Sequence, residues 1–230
     1  MKKLIKLFNA FLLLFSFTTA NSEPVYPNLI AKTHEVPLKD TGFKKVKDTS
    51  YNQIDTKLKA AAARLRLKVA MARQYCIANN FNTNIVFMVD MAIPSGKNRF
   101  FVYNLEKDTV EFTALVSHGS GSYKANCDDQ LVFSNLPNSY ATSLGRYKIG
   151  DSYKGAYGLS YKLFGLDSTN NKAFQRAIVL HADRYVPDKE TYPYHIFESS
   201  GCPTVSPSFL NILGKYMTKS KKPMLLWVYN

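Results

Sequence analysis

The chain is short of cysteine, of acidic side chains and of long hydrophobic runs. It has 230 residues with 3 Cys, 17 Asp and Glu against 30 Lys and Arg, and 4 His. Three Cys exclude a disulfide-framework miniprotein and cannot furnish a four-thiolate zinc site. The deficit of acids leaves a formal net charge of +13 at pH 7. The basic residues are scattered, as in Lys44-Lys45 and Lys219 to Lys222, which reads as a soluble basic surface and not as a dedicated polyanion site. No internal repeat and no low-complexity linker demands a second domain. The chain is nevertheless 46% hydrophobic and carries 15 Phe and 15 Tyr, which excludes disorder. It is long enough to bury a core without disulfide or metal staples.

The one marked apolar run lies at the start. Lys2, Lys3 and Lys6 precede Leu7 to Phe17, and Thr18-Thr19-Ala20 supplies small residues. This is the pattern of a secretory signal peptide over residues 1–20. The run is shorter than the roughly 20 apolar residues of a spanning helix, so export without stable membrane insertion is expected. The periplasm or cell wall follows as the location, with no nucleic acid to meet there. Residues 21–53, punctuated by Pro24, Pro27 and Pro37, read as an extended lead-in, and 54–230 as the domain.

Within the domain, Ile54, Leu58, Ala61, Ala62, Leu65, Val69, Ala72 and Cys76 recur at helical steps. Cys76 on that stripe reads as a core thiol. Ile85 to Val89, Arg99 to Leu105 and Val110 to Val116 read as consecutive antiparallel strands. Gly and Tyr recur between Gly145 and Gly165 as hairpins, and Ala177 to Leu180 is a buried strand ending on His181. Ser206-Pro207 predicts an N-cap and first position of a last helix, and Met224 to Tyr229 a final strand.

The chemistry concentrates between 181 and 204. Ser199-Ser200-Gly201-Cys202-Pro203-Thr204 places a Cys behind a Gly, outside any helical or strand period. Such a Cys is either half of a disulfide, with Cys76 or Cys127, or a free nucleophile. A pairing of Cys76 with Cys127 stays open. A thiol nucleophile needs a base. Of His34, His118, His181 and His195, His181 is the candidate, because a strand end holds a side chain rigidly. His118-Gly119-Ser120-Gly121 is not a dinucleotide fingerprint. A zinc site from His181, His195 and Cys202 lacks the short paired spacing of zinc ligands, so neither metal nor cofactor is expected.

Taken together, Val116-Ser117-His118-Gly119, Phe133-Ser134-Asn135, Ser143-Leu144-Gly145-Arg146-Tyr147, Tyr153-Lys154-Gly155, Gly158-Leu159-Ser160, Gly165-Leu166-Asp167, Arg176 to His181 and Ser199 to Pro203 resemble the L,D-transpeptidase catalytic domain. The resemblance is to the murein subfamily with a Gly-Cys-Pro nucleophile segment, from about Ala60 to Tyr229. It implies a mainly β fold with flanking helices, a sandwich of mixed sheets preceded by one amphipathic helix. It implies that Cys202 attacks the peptide bond to D-Ala in a peptidoglycan stem tetrapeptide, and that an amine resolves the thioester. Carbapenem-type β-lactams are implied as inhibitors.

Under that resemblance His181 is the base and Ala182 can orient it only through its backbone carbonyl. Pro203 has no N–H, so oxyanion donors must come from Cys202 and from Gly201 or Ser200. Ser199 is expected to hydrogen-bond within the loop, and Tyr153 to wall the cleft. Two residues depart from the subfamily: Glu198 stands where Arg is usual, and Ser200 where Trp is usual. The same Cys/His pair would also serve a carboxypeptidase or hydrolase. A non-catalytic cell-wall-binding module is a third reading.

Overall fold

A computed structural model describes residues 49–123 and 130–230, with side chains from Thr56 onward in the first helix. The expected leader, most of the lead-in, His34 and Cys127 lie outside the described residues. Helix α1 spans Thr49–Ala78. It begins before Ile54, since nothing from Thr49 to Gln53 breaks a helix. Its predicted stripe is the buried face: Leu65, Val69, Ala72 and Cys76 are each at most 3% exposed. Cys76 is a free thiol whose burial pushes its pKa up to about 11, so it packs and does not react.

Strands β1 (Ile85–Asp90), β2 (Phe100–Asn104) and β3 (Thr109–Ala114) form an antiparallel meander, as the sequence predicts. β4 (Gly145–Gly155) and β5 (Gly158–Gly165) form a hairpin. Short strands β6 (Val179–Ala182) and β7 (Thr204–Val205) follow, then helix α2 (Pro207–Lys219) and β8 (Met224–Tyr229). Ser206 caps α2 as predicted: its Oγ accepts from Phe209 N–H at 3.2 Å. A cap of this kind stabilises a helix by about 1 kcal/mol.

Among the described residues, the eight strands form one continuous mixed sheet in the order β3-β2-β1-β8-β4-β5-β6-β7. β8 is the joint, parallel to β1 and antiparallel to β4. All six of its residues are buried, which explains why it reads as an unbroken apolar run. The main core takes side chains from β1, β2, β4, β5 and β6 together with Phe209, Leu210 and Leu213 of α2. Phe209 meets Phe100 of β2 edge-on at 5.1 Å, while α2 also lies against β6. The two halves of the sheet thus share one core across α2. Helix α1 covers the other face of β1, β2 and β8. Among the described residues, no helix is long and apolar enough to cross a membrane.

Candidate active site

The far edge of the sheet carries the predicted chemistry. β6 and β7 run parallel, with His181 beside Thr204. Cys202 lies two residues before Thr204, so its thiol falls against the start of β6. Two glycines shape the loop that presents it. Gly201 has φ +110°, a conformation open to glycine, and a Cβ there would stand 2.9 Å from Ala141 O. A Cβ on Gly119 would stand 2.7 Å from Gly201 Cα, so the two backbones approach as only glycines permit. Ser199 N–H donates to His118 O, and Ser120 N–H to Ser199 O, each at 2.8 Å. These bonds tie the nucleophile loop to the segment after β3.

Ser199 hydrogen-bonds within the loop, as expected. Its hydroxyl donates to Cys202 O at 2.6 Å and accepts from Gly201 N–H at 3.1 Å. That second bond commits one expected oxyanion donor, leaving Ser200 and Cys202 to supply N–H groups. Ser200 is exposed at the surface of the loop.

Cys202 is a free thiol, 9% exposed. Its Sγ accepts from Val179 N–H at 3.4 Å and lies 3.9 Å from Ala177 O. Ala177 has φ +54°, which costs a non-glycine residue about 1–3 kcal/mol. This turn starts β6 at Val179, later than the apolar run suggests. Arg176 lies under the loop, donating to Ser134 O at 2.9 Å and to Ala141 O at 2.7 Å. Burial raises the Cys202 pKa, while the Val179 N–H and the Arg176 charge pull it down without prevailing. At rest Cys202 is a thiol.

His181 is 4% exposed. Its Nδ1 donates to Ala182 O at 3.1 Å, the carbonyl contact expected from the sequence. A carbonyl only accepts, so the neutral ring carries its proton on Nδ1 and keeps a lone pair on Nε2. Burial lowers its pKa, against the opposing Ala182 carbonyl and Asp183 charge. Nε2 is occupied at rest by Thr204 Oγ, 3.0 Å away. Among the described residues, no hydrogen bond joins His181 to Cys202 Sγ. His181 lies on β6 and Cys202 in the loop that leads into β7, but Nε2 must leave Thr204 to take the thiol proton.

Sequence reasoning missed Thr204, although its spacing of two from Cys202 marks the same face of an extended chain. It also missed Tyr157, at the tip of the β4–β5 hairpin, whose ring stacks on His181 at 4.4 Å. Tyr153 instead packs along its own hairpin, with Lys162 Nζ 5.7 Å from its ring. Two histidines passed over as the base, and the departing Glu198, gather on the other side of the loop. His118 is buried and takes a hydrogen bond from Arg99 Nη2 at 2.9 Å. His195 Nδ1 lies 3.3 Å from Ser95 Oγ, and Glu198 Oε1 lies 3.9 Å from His118 Nε2. Among the described residues, no three His, Cys, Asp or Glu side chains are placed to hold a metal.

Residues 54–229 match the sequence profile of the L,D-transpeptidase catalytic domain. No curated protein matches the sequence. Among solved structures, the chain is similar to the helical cell shape determining protein Pgp2 from Campylobacter jejuni, at 11% identity and TM-score 0.41, over 64% of this chain and 47% of that one. It is similar to an Enterococcus faecium L,D-transpeptidase at 12% identity and TM-score 0.38, over 64% and 50%. It is similar to L,D-transpeptidase 3 from Mycobacterium tuberculosis carrying a faropenem-derived adduct, at 10% identity and TM-score 0.34, over 64% and 60%. The chain thus spans about half the length of the solved proteins it matches. With 54–229 covered by the profile, the chain belongs to the L,D-transpeptidase catalytic-domain family.

Proposed function

We propose that the protein is an exported, cysteine-dependent peptidoglycan L,D-transpeptidase acting in the periplasm or cell wall. The observation that carries this reading is the placing of Cys202 against β6, the strand that bears His181, in a chain of this family. In the reaction, Nε2 of His181 turns from Thr204 and takes the Cys202 proton as sulfur bonds to the stem-peptide carbonyl carbon. The N–H groups of Cys202 and Ser200 receive the oxyanion. The C–N bond to D-Ala breaks, and His181 returns the proton to the leaving amine. An acceptor amine then attacks the thioester, its proton passing through His181 back to sulfur. A raised thiol pKa beside a lowered imidazole pKa fits proton transfer on substrate arrival better than a resting ion pair.

The test is mass spectrometry of products from the protein with a disaccharide tetrapeptide. Loss of D-Ala with dimer formation is expected, and none of either with Cys202→Ala. Loss of D-Ala giving only free tripeptide would make the enzyme a carboxypeptidase. Unchanged substrate, and no covalent carbapenem adduct on Cys202, would leave a cell-wall-binding role. The M. tuberculosis relative's faropenem-derived adduct motivates that second measurement.

A further inference from the structure

Between α2 and β5, on the side of the sheet away from His181, lies a groove that the proposed mechanism does not use. Ser160 of β5 stands opposite His181 and Tyr161 opposite Leu180, so Tyr161 faces the other way from the base. The groove has a volume of about 400 Å³. Leu159 and Tyr161 form its floor, and Asn211, Lys215, Thr218 and Lys219 of α2 its wall. A volume of this order accommodates a small organic molecule.

The buried polar group in this lining is the hydroxyl of Tyr161, a residue 7% exposed. A Cβ on Gly214 would stand 3.0 Å from Tyr161 Oη, so the bare backbone of Gly214 is what lets the hydroxyl reach the helix. The hydroxyl has no hydrogen-bond partner among the described residues. A buried Tyr hydroxyl ordinarily finds one. Burial raises the Tyr161 pKa, so the phenol keeps its proton and has one hydrogen to donate.

The helix wall carries the same bias towards donors. Asn211, Lys215, Thr218 and Lys219 recur at three- and four-residue steps and share one face of α2. Lys215 and Lys219 are exposed, stand one turn apart and form no ion pair among the described residues. Like charges at this spacing repel, and an anion between them relieves the repulsion. Lys154 stands opposite Leu159 across the hairpin and adds a third cation on that face of the sheet. Among the described residues, no Asp or Glu lines the groove. The carbonyls at the end of α2 would oppose an anion, but Ser220 N–H occupies those of Tyr216 and Met217. Two lysines match the roughly −1.5 to −2 charge of a phosphate monoester at pH 7 better than the single charge of a carboxylate. Leu159, 42% exposed, offers apolar surface to the organic part of such an ester.

We propose that this groove is a binding site for a small phosphate monoester, with the phosphate on Lys215, Lys219 and the Tyr161 hydroxyl and the organic group on Leu159. The site lies on the opposite face of the sheet from His181 and does not depend on the peptidoglycan reading.

The test is an NMR titration of isotope-labelled protein with phenyl phosphate, and separately with inorganic phosphate and with benzoate. Phenyl phosphate is expected to shift the amide resonances of β5 and α2 and to bind roughly tenfold more tightly than either comparison compound. Tyr161→Phe deletes a hydroxyl that no described protein group uses. It should keep the thermal midpoint and lose roughly tenfold in affinity, as expected for one hydrogen bond to a charged group. Lys215→Gln and Lys219→Gln, both at the surface, should each weaken binding by a similar factor. Benzoate binding as tightly as phenyl phosphate would overturn the choice of phosphate. Inorganic phosphate binding as tightly would overturn the role of Leu159. No shift at β5 and α2, or an affinity unchanged in Tyr161→Phe, would overturn the site itself. The titration needs no turnover, so each outcome stands whether or not the tetrapeptide is processed.

Discussion

The two buried histidines beside the nucleophile loop have the same side chain and opposite chemistry. His118 is 3% exposed and His181 4%. His118 holds the loop by its backbone carbonyl, through Ser199 N–H. His181 reaches the loop's exit through Thr204. The difference lies in what meets Nδ1. At His181 it is a carbonyl, which takes the proton there and frees the Nε2 lone pair. At His118 it is a guanidinium, which takes the lone pair there and forces the proton to Nε2. One ring thereby offers a lone pair at Nε2 and the other a hydrogen-bond donor. Burial alone does not tell them apart, since it lowers both pKa values. The sign of the second neighbour does.

The largest effect expected tests this division directly. His181→Ala should slow acylation of Cys202 by a carbapenem by roughly 10²–10⁴-fold, the usual worth of a positioned general base. His118→Gln keeps a donor amide. It should change that rate by less than about tenfold, since the proposed mechanism does not use His118. Time-resolved intact mass gives both rates. Equal losses in the two variants would erase the distinction between base and donor.

A second consequence concerns acid. His118 binds a proton near pH 3 when folded and near 6.5 as a free side chain. As pH falls through that window the unfolded chain is protonated first. The unfolded state then binds more protons, so stability is fully present above the unfolded pKa and declines towards the folded one. The slope from this residue approaches about 1.4 kcal/mol per pH unit in the middle of the window. His181, also lowered, acts in the same direction. Urea unfolding across the window should show the decline in the native protein and a flatter slope in His118→Gln. The slope is the readout, so any constant destabilisation by the substitution drops out. An unchanged slope would mean that His118 is protonated in the folded state and not held neutral by burial and Arg99.

Much of this frame was legible in the sequence because it is local. The α1 stripe, the β1–β3 meander, the Ser206 cap and the β8 run each follow from periodicity or a single capping residue. Cys202 and His181 were legible as types, and the fold brings the loop carrying Cys202 against β6, the strand that bears His181. What escaped depends on register and on long-range contacts. β8 sits between β1 and β4, though it is last in the chain. Nothing local says that Thr204 faces His181, that Ser199 takes Gly201 N–H, or that Tyr157 and not Tyr153 meets the His181 ring. Arg99 looked like the polar start of a strand, yet its side chain is 1% exposed and sets the proton on His118.

The smallest effect expected sharpens the base side of the comparison. Tyr157 is 60% exposed, so it contributes little to the core, yet its ring lies 4.4 Å from that of His181 at an interplanar angle of 24°. It is part of what keeps water from the imidazole. Desolvation is the largest cause of the lowered His181 pKa, so removing the ring should let that pKa rise towards its ordinary value. A higher base pKa moves the acid limb of kcat/KM to higher pH, because the base is lost to protonation sooner as pH falls. Tyr157→Ala should show that shift with only a few-fold loss near neutrality, and Tyr157→Phe, which keeps the stacked ring, should show neither. If Ala and Phe give the same profile, the ring does not shield the base. The burial of His181 would then come from β5 and β7 alone, and the two histidines would differ in their Nδ1 partners and in nothing else that catalysis reads.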